Sequence, residues 1–323
     1  MAVKAIAAVA LDVPDVAPGR EFYTIAGLDA FGDNHIARFR CTGQERDAII
    51  LYGGAPAKRL KFVRLYADQL EEISARVPVA GGAVIDAPSE GEPEGLWVRD
   101  PNGVVFHLVD QDVPELPPLN NAFEINAPGR TIRKNKAGVG ARSSYPQVIR
   151  PVKLGHVALF SPDIPVSIAF LTDALGMGLA DRSQDLVAFC CARKNSEHHV
   201  IALAKSHAIG FHHASFAVLD PDQVGWAGRK LVTAAGRADW GFGRHTIGSN
   251  FFHYIEDPWG SWFEYYSDMD YIEDHDRWTP TNYALEDSTY LWGPNQPAHF
   301  IHNPEVPAIV EDAPVNDDKA LIA

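Results

Sequence analysis

Histidines crowd one part of this chain. Seven of the thirteen (His198, His199, His207, His212, His213, His245 and His253) fall within 56 residues, and His156 opens the same half. A lone histidine in an apolar strand is ordinarily a satisfied structural residue; seven together ask for another reason. His156 sits in Leu154-Gly155-His156-Val157-Ala158-Leu159, and His213 sits in Phe211-His212-His213-Ala214-Ser215-Phe216. Both read as first strands of equivalent units. Glu264 lies in Trp262-Phe263-Glu264-Tyr265-Tyr266, on the strand that follows a D-P-W-G turn. Side chains alternate faces along a strand, so pseudo-symmetric units can aim all three residues at one concave centre. Two imidazoles and one carboxylate on one side of a metal form a facial triad, which holds Fe(II) and leaves other positions open. A carboxylate buried unpaired among aromatics is costly, whereas a metal ligand there is not.

The elements that must position these residues repeat along the chain. Asp100-Pro101-Asn102-Gly103-Val104-Val105-Phe106-His107 returns as Asp257-Pro258-Trp259-Gly260-Ser261-Trp262-Phe263-Glu264, an offset of 157 residues. Phe22–Leu28 resembles Phe170–Gly176, and Asp68-Gln69-Leu70 resembles Asp222-Gln223-Val224. Three matches in one order indicate that the second half is a diverged copy of the first. Within each half, β-like runs at Ala5–Asp12, Phe62–Ala67, Lys153–Ser161 and His213–Leu219 are each followed by a helix-like segment and further strands. D-P-x-G reads as a tight turn between two strands, because proline pre-sets φ and glycine accepts positive φ. The expected fold is therefore α+β, four βαβββ modules, which the family resemblance described below implies form two barrel-like domains. The expected division is 1–115, a linker over 116–150, 151–270, and an aromatic extension over 271–323 (Trp278, Tyr283, Tyr290, Trp292) that packs back before fraying beyond about Pro307.

Composition narrows the function. Against 28 Lys and Arg stand 42 Asp and Glu, a net charge of −14 that repels phosphate backbones and anionic lipid. Neither nucleic acid nor membrane is expected as a partner, since no apolar run approaches the ~20 residues that span a bilayer. Seven basic residues and no acid between Arg130 and Lys153 read as a solvated linker face or a subunit contact. Three cysteines form no disulfide framework, and Cys190 and Cys191 read as small buried hydrophobes. The N-terminal run is too weak for a secretory signal, so a cytoplasmic location is expected.

The stretch from Gly243 to Glu264, GRHTIGSNFFHYIEDPWGSWFE, resembles the signature of the type I extradiol ring-cleaving dioxygenases of the vicinal oxygen chelate superfamily. Gly243, His245, Tyr254, Asp257, Pro258, Gly260 and Glu264 fit that pattern; His253 departs from it, on the strand face opposite Tyr254. The resemblance extends over the whole chain, and the repeat places Ala8 opposite His156, Phe62 opposite His213 and His107 opposite Glu264. The first half therefore keeps at most one ligand. The resemblance implies that His156, His213 and Glu264 hold Fe(II), with Mn(II) as an alternative ion, and that O2 is a co-substrate. It implies an acid–base histidine about fifteen residues before the second ligand, which is His199 in preference to His198. It also implies that His245 and Tyr254 hydrogen-bond the oxygens of a small aromatic diol, and that the protein is a homo-oligomer. His212 is expected to point away from the metal, and Asp163, Asp220, Trp259 and Trp262 read as turn and core residues.

Two other readings stand beside this one: a glyoxalase- or epimerase-like metalloenzyme of the same superfamily, which uses four protein ligands, and a metal-free binding module. Only three ligands are visible here, and neither reading gives His245 and Tyr254 a role. Relatives that act on carboxylate-bearing catechols resemble one another in an arginine five residues before the His245 position. Trp240 stands there instead, and Arg237 and Arg244 do not match it. With Phe242, Trp259 and Trp262 nearby, this stretch is expected to favour uncharged, substituted catechols.

Overall fold

The computed structural model describes residues 3–88, 92–116 and 148–306. The first half opens with β1 (Val3–Asp12), α1 (Ala17–Ile25), β2 (Asp29–Gly32), β3 (Ile36–Arg40) and β4 (Ile49–Tyr52). It continues with β5 (Arg59–Ala67), α2 (Leu70–Val79), β6 (Ala83–Val84), β7 (Leu96–Arg99) and β8 (Val105–Val109). The second half begins with β9 (Lys153–Ser161), α3 (Ile164–Ala169), β10 (Gly178–Ser183), β11 (Val187–Cys191), β12 (Lys194–Glu197) and β13 (Ile201–Lys205). Then come β14 (Gly210–Ala217), α4 (Pro221–Ala235), β15 (Asp239–Arg244), β16 (Phe251–Glu256) and β17 (Trp262–Ser267), followed by β18 (Tyr271–Asp274) and β19 (Thr281–Asn282). None of the described helices is long and apolar enough to cross a membrane.

Each half forms one sheet with its two first strands at the centre. The orders are β2-β3-β4-β1-β5-β8-β7-β6 and β15-β16-β17-β14-β9-β13-β11-β10-β19. This is the expected α+β pattern of four βαβββ modules, with one addition. The third module carries an extra strand, β12, which leaves the sheet and pairs antiparallel with β18. The helices begin where the sequence provides starts: Asp163 and Asp220 accept the Val166 and Gln223 N–H groups, and proline follows each cap. Both aspartates are thus capping residues. In the D-P-W-G turn Asp257 Oδ1 accepts the N–H groups of Trp259 and Ser261, and Gly260 adopts φ +84°, a conformation that suits glycine.

The helix-covered faces of both sheets share one core, in which Phe22 and Tyr23 pack against Phe263, and Phe106 stacks on Phe170. The opposite face of each sheet is concave and holds different chemistry in the two halves. Ser215 pairs with His156 on one side and with Glu264 on the other. At the corresponding register of the first half, Arg64 pairs with Ala8 and with His107. A small residue on the central strand leaves room for three longer side chains to meet; an arginine fills that room. Arg64 contacts His107 Nδ1 at 3.0 Å and pairs with the buried Glu92, which also bonds Arg38 and Tyr52. Trp97 stacks on His107 at 3.9 Å and closes the space. Removing Arg64 takes one cation from a carboxylate that keeps Arg38 and Tyr52, and leaves His107 Nδ1 without its donor. Arg64→Met is therefore expected to destabilise the protein by about 1–3 kcal/mol in chemical denaturation while leaving metal content unchanged; an unshifted midpoint would contradict this role.

Residues 117–147 and 307–323 lie outside the described residues, and with them most of the expected linker, most of the basic stripe and the expected frayed end. Of the stripe's described members, Arg150 pairs with Asp29 and Lys153 with Glu197. The aromatic extension packs on the second half. Trp278 Nε1 donates to Ala180 O, the Tyr283 N–H donates to Arg182 O, Tyr290 meets Trp240, and Trp292 meets Phe242.

Candidate metal centre and cavity

Three adjacent strands bring the candidate ligands together: His156 on β9, His213 on β14 and Glu264 on β17. His156 Nε2 lies 3.1 Å from His213 Nε2 and 3.2 Å from Glu264 Oε2, and His213 Nε2 lies 3.5 Å from the same oxygen. One face of an octahedron with bonds of roughly 2.1 Å has edges of about 3 Å. The side chains are almost wholly buried, and Glu264 Oε2 has no hydrogen-bond partner. Two imidazole nitrogens and a carboxylate oxygen crowded this closely are poorly satisfied by one another, and a hard divalent cation satisfies all three. The donor set fits an octahedral Fe(II) or Mn(II) ion. His156, His213 and Glu264 are the group with ligand-like convergence among the described residues.

Electrostatics follow the same geometry. Burial, then the imidazoles of His212 and His156, hold His213 well below the usual histidine range, although Glu264 pulls the other way. Burial opposes the Glu264 charge, but the surrounding imidazoles of His156, His245 and His213 outweigh it and keep the carboxyl below the usual carboxylate range. His212 is not a ligand. Its Nδ1 lies 2.7 Å from His213 Nδ1, which leaves His213 Nε2 for the centre, and burial lowers it to about 4.

Above the three ligands is a cavity of about 110 Å³, walled by His199, His245, Tyr254, Trp240, Asn250, Phe189 and Ile247. His245 Nδ1 donates to Thr289 O at 2.5 Å, so its Nε2 accepts from the Tyr254 hydroxyl at 3.0 Å. Burial and then the Glu264 charge raise Tyr254, which keeps its proton as a donor. His199 packs against His156, with ring centroids 4.1 Å apart. Burial and the neighbouring imidazoles hold it well below the usual histidine range. Of the two histidines named for the acid–base position, the preferred His199 lines the cavity; His198 does not, and its Nε2 meets Asp181 at 2.7 Å while its Nδ1 meets His199 Nδ1 at 3.1 Å. The ribbon of β12 with β18 ends just before residue 198, and this corner, rather than strand alternation, decides which ring faces inward.

The aromatic expectation needs correction. Of the four residues named, only Trp240 reaches the cavity. Phe242 stacks on Phe251, Trp259 packs at Gly19 of the first half, and Trp262 stacks on His299. Arg244 turns away onto Phe251, and Arg237 donates to the carbonyls of Glu256 and Asp257. His253 faces α4 and bonds Asp239, on the side opposite Tyr254. No Lys or Arg is among the described residues of the wall.

Sequence reasoning missed two contributors. Asn250, in the loop before β16, donates to Glu264 Oε1 at 3.4 Å. The tail adds Ser288, Thr289, Gln296, Phe300 and Ile301 to the wall. It is pinned by Glu305, whose carboxylate meets Lys58 at 2.9 Å and accepts the Leu60 and Phe211 N–H groups. A buried anion with that many donors was findable only as an isolated glutamate after the aromatic tail.

Comparison with known proteins agrees with this geometry. A family model described as the Glyoxalase/Bleomycin resistance protein/Dioxygenase superfamily matches residues 153–265. Metapyrocatechase 2 of Cupriavidus necator is 36% identical over 313 residues, covering 94% of this chain and 93% of that protein. A homoprotocatechuate 2,3-dioxygenase from Brevibacterium fuscum superimposes with a TM-score of 0.72 at 20% identity, over 92% of this chain and 81% of that one. A Mn(II)-bound glyoxalase from Novosphingobium aromaticivorans gives 0.69 at 24% identity, over 90% and 91%. The two structural likenesses establish the shared fold, and the curated relative carries the finer assignment. With its paired βαβββ modules and its near-full-length match to a metapyrocatechase, the chain belongs to the type I extradiol ring-cleaving dioxygenases of the vicinal oxygen chelate superfamily.

Proposed function

We propose that this dioxygenase holds Fe(II) on His156, His213 and Glu264 and opens uncharged catecholic rings beside the diol, yielding a muconic-semialdehyde-type product that contains both atoms of O2. The observation that carries the reading is the convergence of three ligand atoms within 3.5 Å of one another at the floor of a cavity walled by His199, His245 and Tyr254. Bound there, the ion supplies Lewis acidity toward the two diol oxygens and the electronic link between the ring and O2. The same donors also suit Mn(II).

The protein's own residues order the substrate and handle its protons. His245 Nε2 accepts a hydrogen bond, because its other nitrogen is committed to Thr289 O, and Tyr254 donates one. Together they orient the diol oxygens. His199, held neutral by burial and the neighbouring imidazoles, lines the cavity where it can pass a proton between the diol and the opening ring. Trp240, Phe189 and Ile247 exclude water from these transfers.

The wall supports a neutral substrate. A carboxylate brought against Trp240, Phe300 and Ile301 would lose hydration and find no described arginine to pair with. We expect kcat/KM for 3- or 4-methylcatechol to exceed that for homoprotocatechuate by at least about tenfold, or ~1.4 kcal/mol; the reverse ranking would overturn the substrate class. Metal analysis under anaerobic conditions, followed by catechol and air, tests the reaction itself. Iron with O2 uptake and a yellow product supports it. Zinc or nickel without uptake favours a glyoxalase-like enzyme, and no metal favours a binding module.

A further inference from the structure

We infer that Asp181 and His198 are a positioning pair that fixes the tautomer of His199, an inference resting on the acid–base reading of His199 given above. Three elements distant in sequence build the pair. Asp181 lies on β10, with Oδ1 held by the Thr281 N–H of β19 at 2.6 Å. Its Oδ2 stands 2.7 Å from His198 Nε2. His198 is fully buried, and its backbone N–H donates to Asp270 O at 2.7 Å, which locks the corner that carries it. His198 Nδ1 is 3.1 Å from His199 Nδ1.

Donor and acceptor roles then follow along the chain. An ionised carboxylate only accepts, so the His198 proton sits on Nε2. Two facing Nδ1 atoms can bond only if one of them is bare, and with the Asp181-bound Nε2 keeping the His198 proton the bare one is His198 Nδ1. His199 must donate its Nδ1–H into that lone pair, and its Nε2 is left bare as the nitrogen available to the cavity. A carboxylate thus selects, through an intervening imidazole, a proton-accepting tautomer at the residue that meets substrate. Neither Asp181 nor His198 lines the cavity. Their buried polar atoms have no other assignment in the reaction, and Asp181 stands seventeen residues from His198 in sequence.

The experiment compares Asp181→Asn, His198→Asn and His198→Phe with His199→Gln, all in the iron-loaded full-length protein. An asparagine at 181 keeps the Thr281 contact through its oxygen and turns its NH2 toward His198. That reverses the His198 tautomer and, through it, that of His199. D181N and H198F are expected to lower kcat by about tenfold to a hundredfold, the usual range for partners of this kind, with KM for catechol and iron content unchanged. H198N retains an amide oxygen near the Nδ1 position and is expected to recover most of the loss relative to H198F. Adding D181N to H199Q is expected to cost nothing further, since the pair acts only through His199. Wild-type kcat in iron-replete D181N, additive losses in the double variant, or no recovery in H198N would overturn the inference while leaving His199 in place. If D181N sheds iron or raises KM, Asp181 is only a structural residue, and the inference is overturned. Unaltered turnover in H199Q would instead remove the reading on which the inference rests.

Discussion

Glu264→Gln is expected to leave the chain folded and to abolish stable iron binding. The amide has nearly the shape of the carboxylate, so strand β17 and its neighbours have no steric reason to move. It lacks the charge that a hard dication requires, and two imidazoles alone make a weak site for such an ion. The metal-free wild type holds a fully buried carboxylate with one unpartnered oxygen. Because the neighbouring imidazoles hold that carboxylate ionised, metal-free E264Q gives up their attraction and is expected to stay folded but to melt at or somewhat below the temperature of metal-free wild type. Wild type then gains stability on adding Fe(II) anaerobically, and the variant does not, because only binding to the folded state raises the melting point. Iron per chain in the purified variant is expected to fall at least about tenfold. Full iron occupancy, or an equal rise in melting temperature with added Fe(II), would remove Glu264 from the ligand set. His156→Ala and His213→Ala share the iron loss but leave cavities, so the glutamine variant is the cleaner test.

His199→Gln separates binding from chemistry. The side chain lines the cavity but donates no ligand atom to the centre, so iron content and catechol affinity are expected to stay near wild type. Turnover is expected to fall by roughly 10²–10⁴, the usual contribution of a positioned acid or base. Stopped-flow absorbance under excess O2 measures the loss, and anaerobic substrate titration checks the binding. A variant that binds catechol poorly but turns over normally would assign His199 to substrate binding.

The candidate ligand set was legible because each member lies on a regular strand. His156 and Glu264 both pair with Ser215, His213 lies two residues along the same face of the central strand, and alternation is enough to aim them inward. The modules were legible because they repeat. Where position depends on pairing between distant segments, the reading ran out. His198 and His199 sit in a corner set by the pairing of Glu197 with Tyr271, so local periodicity could prefer His199 but could not show what His198 does instead. Four tryptophan and phenylalanine side chains were read as one aromatic surface, although Trp259 and Trp262 answer to Gly19 and His299 in other parts of the chain. Arg64 was invisible as a substitute for Ser215, because the repeat aligned the three ligand positions and not the spacer between them.

The tail that completes the cavity wall carries a consequence for how the protein is made. All three candidate ligands precede Asp268, whereas Thr289, Gln296, Phe300 and the pinning Glu305 are made after them. Glu305 must then find Lys58 in the first half of the chain, and contacts of such long sequence separation form late because their loop entropy must first be overcome. During synthesis the ligand face is thus assembled while its mouth is still open to solvent. Docking of the tail is thus the step that converts an open candidate centre into a sheltered one.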